Sequence, residues 1–274
     1  MSSLKGKNIV ITGATRGLGR VYALHLAGLG ANIGIIHRDL YSYKEYEAEK
    51  KLAKADTILE ELSGLGVKVY GVEADVTNKD QVFDAMEQFQ AKLGSIDVVI
   101  CNAGGGIGKI TDGKPSELDL DVYEKVIDRN LNGTVYTVTA ALPYMKQQRS
   151  GKIITVASHV GVQVNSDGSY THYGIAKSGI IYFTKSIAQE VGRFGVTANC
   201  LAPGYISTAR LAMRFEETGA DHFIKNTALK RFGTPEECAR VVEFLASDMS
   251  DYVTGAVIEV TGGTVGKLDM EWAL

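Results

Sequence analysis

Only four prolines, three cysteines and one tryptophan occur in 274 residues. With so little proline and no Gly/Ser/Pro-rich tract, nothing marks a linker, and the chain reads as one domain, 1–274, able to build a large α/β core. Cys101, Cys200 and Cys238 are odd in number, far apart and without zinc spacing, which argues against a disulfide framework and predicts reduced, packed thiols. No apolar run approaches the roughly 20 residues of a membrane span, and the first apolar strand begins too close to Met1 to leave room for a targeting peptide. Neither sign of charge dominates: a net charge of -3 with 22% charged residues argues against a nucleic-acid or membrane partner. No cluster has metal-ligand spacing, and no third group completes a Ser/His/Asp nucleophilic set. These absences predict a cytoplasmic protein that handles a small molecule without a metal.

What is present is a rhythm. Short β-branched runs, "NIVIT", "NIGII", "VKVYGV", "DVVICN", "KIITVAS", "VTANCLA" and "AVIEVTG", recur with helix-length stretches between them. They are nearly continuous apolar runs, as expected for strands covered on both faces. The pattern predicts a single-domain, Rossmann-type, doubly wound parallel sheet of about seven strands with helices on both sides. One connector is long. Residues 40–66 predict a charged helix, solvated and laced with pairs such as Glu47 with Lys51; the alternative is a flap or subunit contact made by Tyr41, Tyr43 and Tyr46.

The first strand runs into "TGATRGLG", with Gly13, Gly17 and Gly19 ahead of an apolar helix. Glycines permit a tight turn and close backbone approach, and the helix start offers free N–H groups and a positive dipole end to a pyrophosphate. A lone Gly-rich turn is weak evidence; after the first strand of a βαβ series it is strong.

Other marks follow in order: Asp75 in "AD", "CNAG" at 101–104, Asn130 in "RNLNG", Ser158 in "VASHVG", Tyr173 and Lys177 in "YGIAK", and "PGYIST" at 203–208. With this set the chain resembles the compact, single-domain branch of the short-chain dehydrogenase/reductase family over nearly its whole length. Cys101 stands where that family usually has a first Asn, and the 15 residues from Ser158 to Tyr173 exceed its usual spacing, which places an insertion, "VQVNSDGS", beside the substrate.

Tyr173 and Lys177 share one helix face. A tyrosine with a pKa near 10 is a poor base at neutral pH, and a neighbouring ammonium favours its phenolate. Alone, such a pair reads as a surface contact; behind a nucleotide turn and after Asn130 and Ser158, it reads as a proton-transfer group. The resemblance implies that Ser158 bonds the substrate oxygen, that Lys177 also holds the nicotinamide ribose, and that Asn130 holds a water connecting Lys177 to solvent. It further implies a dinucleotide held by Gly13, Thr15, Arg16, Gly17, Leu18, Gly19, Arg38, Asp75, Val76, Asn102, Ala103, Gly104, Tyr173, Lys177, Pro203, Gly204, Ile206 and Thr208.

At the end of the second strand, where NAD-preferring relatives carry Asp, this chain has His37, followed by Arg38; Arg16 lies in the first turn. Two guanidinium groups suit a 2′-phosphate, so NADP(H) is the expected cofactor and NAD(H) the alternative, through Asp39 if the register shifts. The substrate site is expected along 159–169, Gly105, Gly106 and 205–230, where Tyr205, Met213, Phe215, His222 and Phe223 suggest a partly apolar lid. The expected activity is reversible reduction of a ketone or aldehyde to an alcohol. The rivals are a nucleotide-sensing regulator that has lost the chemistry and a non-redox lyase or isomerase on the same scaffold. The resemblance also implies a homotetramer packed through helices around 116–149 and 170–193.

Overall fold

The computed structural model describes residues 4–109, 111–212, 223–225 and 227–264. Seven parallel strands form one sheet in the order β3-β2-β1-β4-β5-β6-β7. The strands are β1 (Asn8–Thr12), β2 (Asn32–His37), β3 (Val69–Glu73), β4 (Val98–Cys101), β5 (Gly151–Val156), β6 (Val196–Pro203) and β7 (Val257–Val260). They fall on the seven predicted runs. Alternate side chains feed two cores: Ile9, Ile11, Ile33 and Ile35 enter one face, while Val10, Ile36, Val99 and Ile153 enter the other.

The first core is closed by α1 (Gly17–Gly28), through Tyr22 and Leu26, and by a C-terminal helix, Pro235–Ala246, through Cys238, Val242 and Leu245. The second is closed by Lys79–Leu93 with Met86 and Phe89, by Gly133–Gln148 with Val138 and Met145, and by Thr171–Val191 with Ile187 and Val191. In chain order the helices are α1, α2 (Glu47–Leu52), α3 (Ile58–Ser63), α4 (Lys79–Leu93), α5 (Leu120–Ile127), α6 (Gly133–Gln148), α7 (Thr171–Val191) and α8 (Pro235–Ala246). Local sequence sets their ends: Asn78 caps α4 by accepting from Asp80 and Gln81 N–H, and Thr234 with Glu237 forms a capping box around Pro235 at α8.

The long connector differs from expectation. It is not one helix but a 3-10 turn at Ser42–Glu45 followed by α2 and α3. The break comes where Glu61 accepts from the Lys54 and Ala55 N–H groups and where Thr57 and Glu60 start α3 with their own capping box. Glu47 pairs with Lys50, not Lys51. Tyr43 is buried and donates to the Asp56 carbonyl at 3.0 Å, so it anchors the segment internally. All three cysteines are free and buried. No described helix is long and apolar enough to cross a membrane.

Candidate active site

At β1 the sheet order reverses, with β2 on one side and β4 on the other, and ligands of open α/β sheets lie outside the carboxyl ends of strands at such a point. There the ends of β1 to β6 surround a cavity of about 920 Å³. Of the residues expected to bind or react, Gly13, Thr15, Arg16, Gly17, Leu18, Arg38, Asp75, Val76, Asn102, Ala103, Gly104, Ser158, Tyr173, Lys177, Pro203, Gly204, Ile206 and Thr208 line it. Gly19 and Asn130 do not, and each lies directly behind the lining.

Gly19 explains the tightness of the first turn. A Cβ there would stand 2.3 Å from the Gly13 carbonyl oxygen and 2.4 Å from Asn102 Nδ2. Asn102 Nδ2 donates to the Gly13 carbonyl at 3.0 Å, and Thr12 Oγ1 accepts from the Asn102 and Ala103 N–H groups. The end of β4 is thereby stapled beneath the turn that opens α1. Gly17, at φ 57°, has open space where its Cβ would be, and the N-cap residue Arg16 supplies no side-chain cap. The bare Gly17 backbone allows the close approach that the phosphates of a dinucleotide need, and the Arg16 side chain does not compete for the N–H groups of the helix start.

Asn130 sits in a π-helical turn, Asp128–Asn132, between α5 and α6. Such bulges turn a side chain out of helical register. Fully buried, Asn130 accepts from Gly105 N–H at 2.9 Å through Oδ1 and donates through Nδ2 to the Gly105 and Val126 carbonyls. A Cβ on Gly104 would lie 2.5 Å from Asn130 Oδ1 and 3.5 Å from Lys177 Nζ, so only the bare Gly104 backbone separates the two side chains.

Lys177 is buried, donates to the Val156 carbonyl at 2.8 Å, and holds its ammonium 5.4 Å from the centre of the Tyr173 ring. Burial pushes its pKa down to about 8, with Cys200 opposing. Ser158 follows β5 with an extended backbone, and its side chain does not cap the short helix after it. That turn is clamped on α7: Ser178 Oγ donates to the Gly161 carbonyl at 2.8 Å, and a Cβ at Gly161 would stand 2.7 Å from the Lys177 backbone. The Ser158 and Tyr173–Lys177 elements are therefore fixed against each other.

The end of the cavity where substrate was expected is aromatic. Tyr170 packs 4.9 Å from Tyr173, and His159 stacks 4.9 Å from Tyr205, which in turn meets Phe223 at 5.1 Å. Gly105, Gly106, His159, Asn165 and Tyr205 line the cavity as expected for this end; Met213, Phe215 and His222 lie outside the described residues. Burial lowers the His159 pKa, opposed by a bond to the Pro203 backbone.

At the other end β2 stops at His37, whose pKa is lowered by burial. Asp39 is held in a turn, Oδ1 accepting from Tyr41 N–H at 2.8 Å. Arg38 is largely exposed and reaches Asp75 at 3.5 Å, while Arg16 pairs with Glu45. Burial raises the Asp75 pKa, but bonds from Thr77 and the Arg38 charge more than reverse this and leave it lowered.

Sequence reasoning missed Glu45, Glu49, Arg129 and Tyr170 in the lining; Arg210 lies within the expected 205–230 segment, and Tyr46, weighed as a flap or subunit contact, lines the cavity. Arg129 has its pKa lowered by burial and by Arg38 and Arg210, so several cations crowd this cleft. Its only sequence signal was its place beside Asn130. Tyr170 carries a positive φ of 62° before α7, a conformation that its identity does not announce. Among the described residues no group of three or more His, Cys, Asp or Glu could hold a metal ion.

The family model described as "Enoyl-(Acyl carrier protein) reductase" matches residues 13–265. The chain is 46% identical over 260 residues to the cyclohexanol dehydrogenase of Rhodococcus sp. (strain TK6), covering 95% of this chain and 96% of that one. A short-chain type dehydrogenase/reductase from Mycobacterium marinum superimposes with a TM-score of 0.84 at 31% identity, covering 97% of this chain and 98% of that one. A 3-oxoacyl-[acyl-carrier protein] reductase from Brucella melitensis, solved with bound NAD, gives 0.79 at 33% identity over 94% and 91% of the two chains. The chain thus belongs to the short-chain dehydrogenase/reductase family, as an alcohol dehydrogenase/carbonyl oxidoreductase that uses a nicotinamide dinucleotide.

Proposed function

We propose that the protein interconverts a small secondary alcohol, of alicyclic type, and its ketone with NADP(H), using Tyr173 as the proton-transfer group. The observation that carries the chemistry is the buried Lys177 ammonium beside the Tyr173 ring. In reduction, the Tyr173 hydroxyl gives its proton to the substrate oxygen; in oxidation, the phenolate takes the alcohol proton. Lys177 stabilises that phenolate by its charge. Ser158 donates to the substrate oxygen as negative charge develops there. Asn130 fixes the Gly104–Gly105 backbone next to Lys177 and sets the inner end of a proton path. The bound nicotinamide supplies or accepts the hydride.

The substrate class is supported by the aromatic lining around Tyr170, Tyr173 and Tyr205, and by likeness to a cyclohexanol dehydrogenase. The NADP preference is supported by His37 at the end of β2, by Arg38 and Arg16 on the cavity wall, and by Asp39 being occupied in its turn. The lid at 205–230 and the loop at 159–169 complete the substrate side of this proposal, within a single catalytic domain. A panel of cyclic and linear ketones with a 3-oxoacyl thioester, scored by NADPH and NADH consumption, tests both parts. Turnover of small cyclic ketones with NADPH is expected; turnover confined to the thioester, or to NADH, contradicts the corresponding part. A cytoplasmic homotetramer belongs to the same reading, supported by exposed Ile175 and Tyr182 on one face of α7. Light scattering that returned a monomer would refute that assembly.

A further inference from the structure

The phosphate turn is already in contact with an anion from the chain itself. Both carboxylate oxygens of Glu49, on α2, accept from the Gly17 N–H at 3.1 Å. Glu49 is only 7% exposed, whereas Glu47, Ala48, Lys50 and Lys51 around it all face solvent. One turn earlier, Glu45 pairs with Arg16, and the Tyr46 ring centre lies 5.3 Å from the Arg16 guanidinium. Ser42 Oγ meets Thr15 Oγ1 at 2.8 Å. Segment 42–52 therefore touches three successive residues of the turn, Thr15, Arg16 and Gly17, and these are residues the dinucleotide reading requires.

A pyrophosphate asks for the same partners as these carboxylates: an unpaired N–H at the start of α1 and a nearby guanidinium. Burial raises the Glu49 pKa and the Gly17 N–H, Arg16 and Arg20 oppose this, while Glu45 adds to the rise, so the carboxylate is held there at a cost. Two anions on one set of donors repel, most strongly at the buried Glu49 carboxylate. Apart from its contacts with the turn, the segment that carries Glu49 is held by Tyr43, which is buried and donates to the Asp56 carbonyl. α2 has six residues, too few to be stable alone.

We infer that residues 42–52 form an internal strap in which Glu49 and Glu45 occupy the anion cradle, and that binding of a nicotinamide dinucleotide displaces them. The inference rests on the dinucleotide reading of the cleft and not on the preference for NADP. It makes the strap a determinant of cofactor affinity and of the rate at which cofactor enters and leaves.

The test measures equilibrium and stopped-flow binding of NADH and NADPH to the wild type, Glu49→Gln and Glu45→Gln, with a thermal melt of each. Glu49→Gln keeps size and removes charge. It is expected to tighten dinucleotide binding about tenfold, largely through faster association, the scale of one charged competitor removed. Unchanged or weaker binding in a folded Glu49→Gln protein overturns the strap; if a lower melting temperature accompanies it, Glu49 is a helix cap alone. Should Glu49→Gln fail to fold, Glu45→Gln, at an exposed position, decides: tighter binding supports the strap and unchanged or weaker binding overturns it. The ratio of variant to wild type is read with whichever dinucleotide binds better, so a wild-type preference for NADH contradicts the NADP proposal and leaves the strap standing.

Discussion

The Lys177 ammonium lies 5.4 Å from the centre of the Tyr173 ring while donating to the Val156 carbonyl at 2.8 Å, in a site only 3% exposed. Among the described residues no carboxylate pairs with it; a charge so held is costly, and the cost has a pH signature. The Lys177 pKa falls from 10.5 to about 8 on burial. The folded protein therefore releases this proton before the unfolded chain does, and between those values the unfolded chain binds more protons.

Stability relative to Lys177→Met should accordingly rise with pH. Below pH 8 the wild type carries the full burial cost and the Met variant should be the more stable protein. From about 8 to 10.5 the gap should close by up to about 3 kcal/mol, the linkage value of this shift. Urea denaturation at pH 7, 8.5 and 9.5 checks the sign; a gap that widened with pH would contradict it. The Met variant should be inactive at every pH.

Gly106 lines the cavity directly against Tyr170, on the side proposed to take substrate. A Cβ there would fall 1.6 Å from Tyr170 Oη, and the Tyr170 ring packs on Tyr173. Gly106→Ala should push Tyr170 aside and lower kcat/KM by roughly 10- to 100-fold, the penalty for misplacing reacting groups. Dinucleotide affinity should stay within about twofold, since Gly106 lies away from the phosphate turn. Calorimetric titration beside steady-state kinetics separates the two effects.

Much of this was legible in the sequence, for identifiable reasons. Strands covered on both faces leave continuous apolar runs, so β1 and β2 declared themselves. The glycine turn and the Tyr173–Lys177 pair were legible as fixed spacings along one element, and the structure brings both to one cavity. The long connector was misread because its i,i+4 charges satisfy a helix template, whereas Thr57 and Glu60 start a new helix in the middle. That capping box was readable as T-x-x-E and should have outweighed the charge pattern. Glu45 and Glu49 also stand i,i+4, but only the fold shows that their face meets Arg16 and Gly17. Arg129 joins the cleft from a segment distant from Arg38 and Arg210, and no local pattern carries such a meeting.

On the proposed preference for NADP(H), Arg38 is the residue that separates the two dinucleotides. Its contact with Asp75, at 3.5 Å with the guanidinium mostly exposed, contributes little and yields easily to a phosphate. Arg38→Ala should weaken NADPH binding by about 1.5–3 kcal/mol, the worth of a hydrogen bond to a charged group, and leave NADH binding nearly unchanged. Titration of both dinucleotides into both proteins checks it; an equal loss for the two would remove Arg38 from the role.

Tyr173 is the proposed proton-transfer group of this carbonyl–alcohol oxidoreductase, and every other catalytic role depends on it. Single-turnover reduction of a small cyclic ketone by NADPH, in the wild type and in Tyr173→Phe, tests it most directly. The Phe variant keeps the ring that packs on Tyr170 and lacks only the hydroxyl. It should bind NADPH as the wild type does and lose roughly 10²-fold or more in the rate of the chemical step. Near-normal turnover by folded Tyr173→Phe would contradict the account.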